Sequence, residues 1–207
     1  MEKKGHRYNS IIMSSKYPRM PLAKAVQYSE RFIKTISPYV EKMEIAGSVR
    51  RLCDTVGDVE IVCVDKAIGG LESLFGDGKY PGTVMNGKRL KRFKYPKQGL
   101  QIELYITSAH DYGRILAIRT GSSAFSHHVL ASTWNRQGWA GTVDGLRRKK
   151  ECDHKSKWTI KPEFAVNPTM PPIFNTEAEF FDFLQIPWRP PQNRNMKSVD
   201  EAYNYST

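Results

Sequence analysis

The chain has 207 residues, which is enough for one well-formed core or for two small lobes that share one. It carries 32 Lys and Arg against 21 Asp and Glu, a formal net charge of +11, and 40% of its residues are hydrophobic. This composition excludes a disordered basic tail, and no apolar run is long enough to cross a bilayer. The charge favours a polyanionic partner, most simply nucleic acid, over a membrane, with a merely solvated basic surface as the alternative.

The first residues and the cysteines bear on the compartment. Residues 1–7 are basic but no apolar segment follows them, so we expect no secretory signal. Cys53, Cys63 and Cys152 are odd in number, and their spacing matches neither a disulfide framework nor a zinc ribbon. We therefore expect a cytoplasmic protein, in the reducing environment of the cytosol.

In chain order, residues 1–20 are polar and mixed, and they predict an N-terminal arm. Pro21 then opens a long helical pattern, which is interrupted at Ser37 and Pro38. The apolar stripe of this helix recurs at steps of three and four residues and consists of Leu22, Ala25, Val26, Phe32, Ile33 and Ile36.

Two strands follow, over residues 58–64 and 101–106. In each, apolar residues alternate with polar ones, which predicts one face in the core and one polar face. A glycine-rich link over residues 75–82 and a basic stretch over residues 88–95 lie between them.

The second half is organised differently. Residues 120–123 predict a turn that enters a helix, with Phe125, Val129 and Leu130 in the core. Gln137-Gly138 ends this helix, and a connection rich in Gly, Lys and Arg follows. Residues 177–184 predict a short helix, and the tail from residue 188 is expected to be irregular.

The strand over residues 58–64 begins with two carboxylates. Asp58 and Glu60 stand two residues apart, so both point to the same face of the strand. Converging carboxylates repel each other unless a cation lies between them, and hard oxygen ligands suit Mg²⁺. Glu103, on the polar face of the second strand, can complete a cluster of three carboxylates that holds two metal ions.

A glycine and a serine precede the first strand. Gly47 allows close approach of a phosphate to the backbone, and a helix that begins at Ser48 favours an anion there. Arg50 and Arg51 fall in the first turn, where one of them can reach a triphosphate. An Asp-x-Glu pattern on a strand commonly marks only a solvated face of a sheet. Here the upstream Gly-Ser pair and the third acidic residue favour a functional site.

Gly47-Ser48-Val49-Arg50-Arg51, followed by Gly57-Asp58-Val59-Glu60, resembles the nucleotidyltransferase signature of family X DNA polymerases, the DNA polymerase beta group. Further matches to this family follow in order over roughly residues 19–195, at residues 19–21, 101–103, 120–122, 177–185 and 191–194. The resemblance implies an α+β fold. A nucleotidyltransferase palm, a mixed sheet with flanking helices, would span residues 21–108, and a smaller α/β thumb-like lobe would span residues 109–207.

The resemblance also implies an activity and its residues. The chain would be a DNA-directed DNA polymerase that adds a nucleoside monophosphate to a primer 3′ hydroxyl, as in short-gap filling or repair. Asp58, Glu60 and Glu103 would be the catalytic metal ligands, for two Mg²⁺ ions that Mn²⁺ can replace. Nucleotide binding would involve Gly47, Ser48, Arg51, Gly57, Arg19, Arg119, Gly121 and Ser122. Nucleic-acid binding would involve Lys88, Arg89, Lys91, Arg92, Lys94, Arg147 and Arg148.

The partners implied are primer–template or gapped DNA and a dNTP or rNTP, bound by a monomer. The chain departs from the family pattern in having Glu60 and Glu103 where Asp is usual. It also has Ile118-Arg119 where an aromatic pair is usual. We expect no lyase domain before the palm, as in the minimal polymerases of some viruses. Two alternatives stay open, a template-independent terminal transferase for DNA or RNA and an inactive basic nucleic-acid-binding protein.

Overall fold

The computed structural model describes residues 18–68, 70–198 and 201. Its strands are β1 Met20–Pro21, β2 Val40–Ile45, β3 Thr55–Val56, β4 Val59–Asp65, β5 Thr83–Asn86, β6 Leu90–Tyr95, β7 Leu100–Thr107, β8 Trp139–Thr142, β9 Gly145–Arg148, β10 Cys152–His154 and β11 Trp158–Ile160. Its α-helices are α1 Leu22–Ile36, α2 Gly47–Arg50, α3 Leu71–Phe75, α4 Tyr112–Thr120, α5 Ser132–Arg136 and α6 Glu177–Leu184, and a π-helix spans Phe125–Ala131.

Five strands form one mixed sheet in the order β2-β4-β7-β6-β5. The central pair, β4 and β7, is parallel, whereas β2 pairs antiparallel with β4, and β6 with both β7 and β5. With helices packed around this sheet, the chain belongs to the α+β class, as expected. The two predicted strands are confirmed; β4 begins one residue later than predicted, so Asp58 immediately precedes it.

The predicted apolar faces form the first core. Val59 and Ile61 of β4 and Ile102 and Leu104 of β7 are buried there. The stripe of α1 packs against the same core, as its spacing predicted. Most of the arm predicted over residues 1–20 lies outside the described residues, but Met20 is buried and pairs with Val56 in a short antiparallel ladder. The predicted arm therefore ends inside the fold.

A second core lies in the C-terminal half. It gathers the predicted core residues of the helical segment, Phe125, Val129 and Leu130, against Phe180 and Phe181 of α6. The segment is helical as expected, but its first part is a π-helix. A smaller cluster joins the opposite face of β4 to α4. No helix among the described residues is both long enough and apolar enough to span a bilayer.

A buried charge network ties the chain's tail to α2. Arg194, predicted to lie in an irregular tail, is fully buried and contacts both oxygens of Glu177, at 2.5 and 3.4 Å. Glu177 also forms an ion pair with Arg50 at 2.9 Å. Arg50, one of the two arginines predicted to reach a triphosphate, further contacts Glu44 at 2.9 Å and the Thr120 hydroxyl at 2.7 Å. Arg50 is thus a structural residue.

Candidate active-site cleft

The parallel pairing of β4 and β7 brings two of the predicted ligands side by side. Glu60 of β4 is the direct register partner of Glu103 of β7. Asp58 precedes β4 by one residue, and alternation places it on the same face as Glu60. Further along this face, Val62 and Val64 are covered by α4. The carboxylates therefore lie where the sheet emerges from beneath α4.

A cleft of about 500 Å³ opens at this point. Its lining combines two carboxylates, three arginines, several hydroxyls and two glycines from both halves of the chain. Residues before the predicted boundary after residue 108 contribute Arg19, Ser48, Arg51, Gly57, Asp58 and Glu60. Residues after it contribute Ile118, Arg119, Gly121, Ser122, Ser123, Ser126 and His127. Of the predicted nucleotide-binding residues, all but Gly47 line this cleft.

Gly47 lies directly behind the cleft and contacts a carboxylate. Its φ is +60°, and a Cβ added there would stand 2.1 Å from Oε2 of Glu60. The Ala46 amide also donates to the Glu60 carbonyl at 2.8 Å. A glycine is therefore required both by the backbone and by the Glu60 side chain. The sequence predicted that a phosphate approaches the backbone at this glycine. In the structure, the group that lies against Gly47 is the side chain of Glu60.

Asp58 and Glu60 are neighbouring carboxyl groups without hydrogen-bond donors. Among the residues the structure describes, no group donates a hydrogen bond to either carboxylate. Burial, and secondarily the charge of Asp58, raises the pKa of Glu60 to about 8, with Arg119 acting in the opposite direction. Burial also raises the pKa of Asp58, and the Glu103 charge adds to this effect. This pair of hard oxygen donors, short of a counter-charge, fits a divalent cation such as Mg²⁺.

Glu103 has a different environment. Its Oε1 accepts from Arg92 Nε at 2.8 Å and from Gln101 Nε2 at 2.9 Å, and its Oε2 accepts from the Tyr105 hydroxyl. It is only 7% exposed and does not line the cleft. Over residues 18–68 and 70–198, no three His, Cys, Asp or Glu side chains are arranged to hold a metal ion. The cluster of three carboxylates with two ions therefore stays a prediction.

The cleft arginines are held by neutral partners. Arg19 donates to the hydroxyl of Thr55 at 2.9 Å, and Arg51 donates to the Thr120 carbonyl at 2.8 Å. The guanidinium of Arg119 stacks 3.9 Å from the centre of the Tyr105 ring. The Nε atoms of Arg51 and Arg119 are buried and have no hydrogen-bond partner. No described acidic group forms an ion pair with these three residues, so the cleft keeps positive charge for an anion.

Tyr105 is a contributor that sequence reasoning missed. Its ring supports Arg119 and its hydroxyl donates to Glu103, so it joins the cleft cation to the third carboxylate. The available signal was its position two residues after Glu103, which places both on the polar face of β7.

Ser122 has a structural use for its hydroxyl. This oxygen donates to the Met196 carbonyl at 3.0 Å and accepts from the amides of Met196 and Phe125, at 3.1 and 3.2 Å. The predicted nucleotide-binding serine thus also fixes the turn at Gly121 to the C-terminal segment. Ser48 carries no such side-chain bond among the described residues, which leaves its hydroxyl available in the cleft.

Of the residues predicted to bind nucleic acid, some are buried or paired and others are exposed. Lys91 is 3% exposed and donates to the Asn86 side chain, and Arg147 is 9% exposed and donates to the Thr169 carbonyl. These two predictions are corrected: Lys91 shares the inward face of β6 with Phe93, and Arg147 is packed into the interior beside the buried Leu146, so neither faces a phosphate backbone. Arg92 is bound to Glu103, and Arg89 pairs with Asp144 at 2.6 Å. Lys88 and Arg148 are exposed, and Lys94 is partly buried.

No protein-family model and no curated protein matches the chain. The interpretation of the cleft therefore depends on its own residues.

The raised pKa of Glu60 predicts how metal-free stability changes with pH. The folded state retains a proton on Glu60 up to about pH 8, whereas the unfolded chain loses it near the ordinary value of 4.5. Because the folded state binds more protons in this window, the free energy of unfolding falls as pH rises from 4.5 to 8. Glu60→Gln removes this pH-dependent loss, and we expect the free energy of unfolding of the metal-free variant to stay nearly constant between pH 5.5 and pH 8.5 where that of the wild type falls.

Urea unfolding in EDTA at pH 5.5 and pH 8.5 measures this effect. Glu30→Gln, on the exposed face of α1, is the matched control and should leave the pH profile of the wild type unchanged. Equal pH dependence in Glu60→Gln and the wild type would contradict the prediction.

Proposed function

We propose that the chain is a Mg²⁺-dependent nucleotidyltransferase of the family X polymerase type, whose palm is the five-stranded sheet. One observation supports this most directly. A single cleft is lined by two carboxylates without hydrogen-bond donors, Asp58 and Glu60, together with Arg19, Arg51 and Arg119. Carboxylates that require a metal, beside cations that require an anion, suit a metal-bound nucleoside triphosphate.

In this proposal Asp58 and Glu60 hold Mg²⁺, or Mn²⁺ in its place. When bound, the metal favours deprotonation of an attacking hydroxyl and neutralises charge on the phosphate oxygens. Glu103 would be the further residue to hold a second ion, and its carboxylate now accepts hydrogen bonds from Arg92, Gln101 and Tyr105.

The chain's own groups position the triphosphate. Arg51 and Arg119 line the cleft with positive charge, each has a buried Nε without a hydrogen-bond partner, and Ser48 offers a hydroxyl. Arg19 adds a third positive charge at the rim. The primer 3′ oxygen attacks the α-phosphorus, the bond to the bridging oxygen breaks, and pyrophosphate leaves with the electron pair. The proton of the 3′ hydroxyl passes to solvent.

The substrate is proposed to be DNA with a recessed or gapped 3′ end, in keeping with the resemblance and the net charge of +11. The test is extension of a labelled DNA primer in Mg²⁺, with each dNTP or rNTP supplied singly. Lanes compare the primer alone, a primer–template and a one-nucleotide gap.

We expect extension by the template-complementary nucleotide, greatest at the gap. Extension of the primer alone, whatever the base, would instead establish a terminal transferase. If the wild type gives no product with either metal or any nucleotide, the enzyme proposal is wrong.

A further inference from the structure

A cluster of exposed cations lies outside the cleft, on two consecutive β-hairpins. It consists of Arg148, Lys149, Lys150, Lys155 and Lys157, and we call it the basic hairpin surface. All five side chains are exposed. The last two flank Ser156 in the turn between β10 and β11, so they project from a hairpin tip.

This charge is not compensated locally. None of the five cations forms an ion pair with another described residue. Of the two acidic residues in this stretch, Glu151 is buried and bonded to the amide and hydroxyl of Thr169. Asp153 is the other, and it is exposed on β10. Five exposed cations beside one exposed carboxylate, with no ion pair among them, favour a polyanion as their partner.

Two of the five cations, Arg148 and Lys149, are also held in place by neutral contacts. The guanidinium of Arg148 lies 3.9 Å from the centre of the Trp139 ring. Lys149 donates to Asn135 Oδ1 at 2.6 Å and lies 5.8 Å from the Trp158 ring centre. Trp158 pairs across the hairpin with His154, at 4.7 Å between ring centres. Cations fixed by neutral groups keep their full charge and lose less conformational freedom when they bind.

The basic stretch on β6 is the opposite case. There Lys91 is buried, Arg92 is paired with Glu103 and Arg89 is paired with Asp144. The two basic stretches look alike in sequence, but the structure neutralises much of the first and leaves the second available.

We propose that the basic hairpin surface binds the phosphate backbone of the DNA substrate, away from the reacting 3′ end. DNA as the partner rests on the proposed function. The contact is electrostatic and independent of sequence, because it consists of ammonium and guanidinium groups at a surface. Arg148, Lys149 and Lys150 form its base, and the Lys155–Lys157 tip extends it.

The test is equilibrium binding of a fluorescent primer–template to the full chain in EDTA, where no turnover occurs. Lys155→Glu/Lys157→Glu is compared with Lys34→Glu/Lys97→Glu, which makes the same change of net charge at exposed positions on α1 and after β6. We expect the hairpin variant to raise Kd at least about tenfold at 50 mM salt. We also expect it to lower the slope of log K against log salt by about 2. The control should change Kd by about twofold or less, since distant surface charges are screened.

Equal Kd values for the hairpin variant and the control would overturn the proposal. So would binding of phosphatidylserine vesicles that depends on the hairpin while DNA binding does not. Primer extension by the same proteins separates this result from the proposed function. Extension by the wild type with unchanged DNA binding in the hairpin variant would overturn only the surface. Hairpin-dependent DNA binding without extension by the wild type would overturn only the enzyme.

Discussion

Asp58→Asn is expected to lower nucleotide transfer by roughly 10²- to 10³-fold or more, the effect of removing one electrostatic group that acts on the transition state. The substitution keeps the shape of the side chain and removes the charge beside Glu60. It therefore weakens the proposed metal site without opening a cavity. Single-turnover primer extension at saturating DNA measures the loss.

The matched control for this change is Asp54→Asn. Asp54 is exposed in the loop that leads to β3, and its side chain forms no bond in the described structure. It should retain the wild-type rate. A rate for Asp58→Asn within about threefold of the wild type would contradict the proposed role, since it would correspond to less than about 1 kcal/mol of transition-state stabilisation.

Arg194→Met is expected to lower the free energy of unfolding by about 3 kcal/mol. Arg194 is 0% exposed, donates to Glu177 and to the Arg189 carbonyl, and lies 4.9 Å from the Phe181 ring centre. Removing one partner of a buried ion pair leaves the other without its full compensation. Arg50 still contacts Glu177, which limits the loss. For a chain of this size the melting temperature should fall by about 6–12 °C.

Thermal unfolding at pH 7 measures this loss, with Arg31→Met as the control. Arg31 is exposed on α1, so its substitution should change stability by no more than about 0.5 kcal/mol. The wild-type melting temperature in Arg194→Met would show that the buried pair contributes nothing net. That result would also mean that the tail stays packed against α6 without this ion pair.

Much of the local structure was predictable because it depends on periodicity. The alternation in β4 and β7 predicted both strands and their buried faces, and the three- and four-residue spacing predicted α1. The Thr176 and Glu179 side chains form a capping box, and α6 begins where the sequence placed it. The common face of Asp58 and Glu60 follows from the same two-residue period.

The burial and the contacts of the individual basic residues could not be predicted from the sequence. Lys91 and Arg147 belong to sequence runs that look solvated, yet strand alternation and packing put both in the interior. Arg50 and Arg51 are neighbours with the same chemistry. Adjacent positions on a helix diverge, so one joins the buried network with Glu177 and the other lines the cleft.

The sequence by itself determined β4, β7, α1, α6, the charge and the shared face of Asp58 and Glu60, because each depends on residues near one another in the chain. Only the tertiary structure decided that Glu60 lies beside Glu103, since strand pairing is a long-range property. Only the tertiary structure shows that the Glu103 carboxylate accepts hydrogen bonds from Arg92, Gln101 and Tyr105. It also buried Arg194 against Glu177, because such a pair forms only when distant segments pack and exclude water.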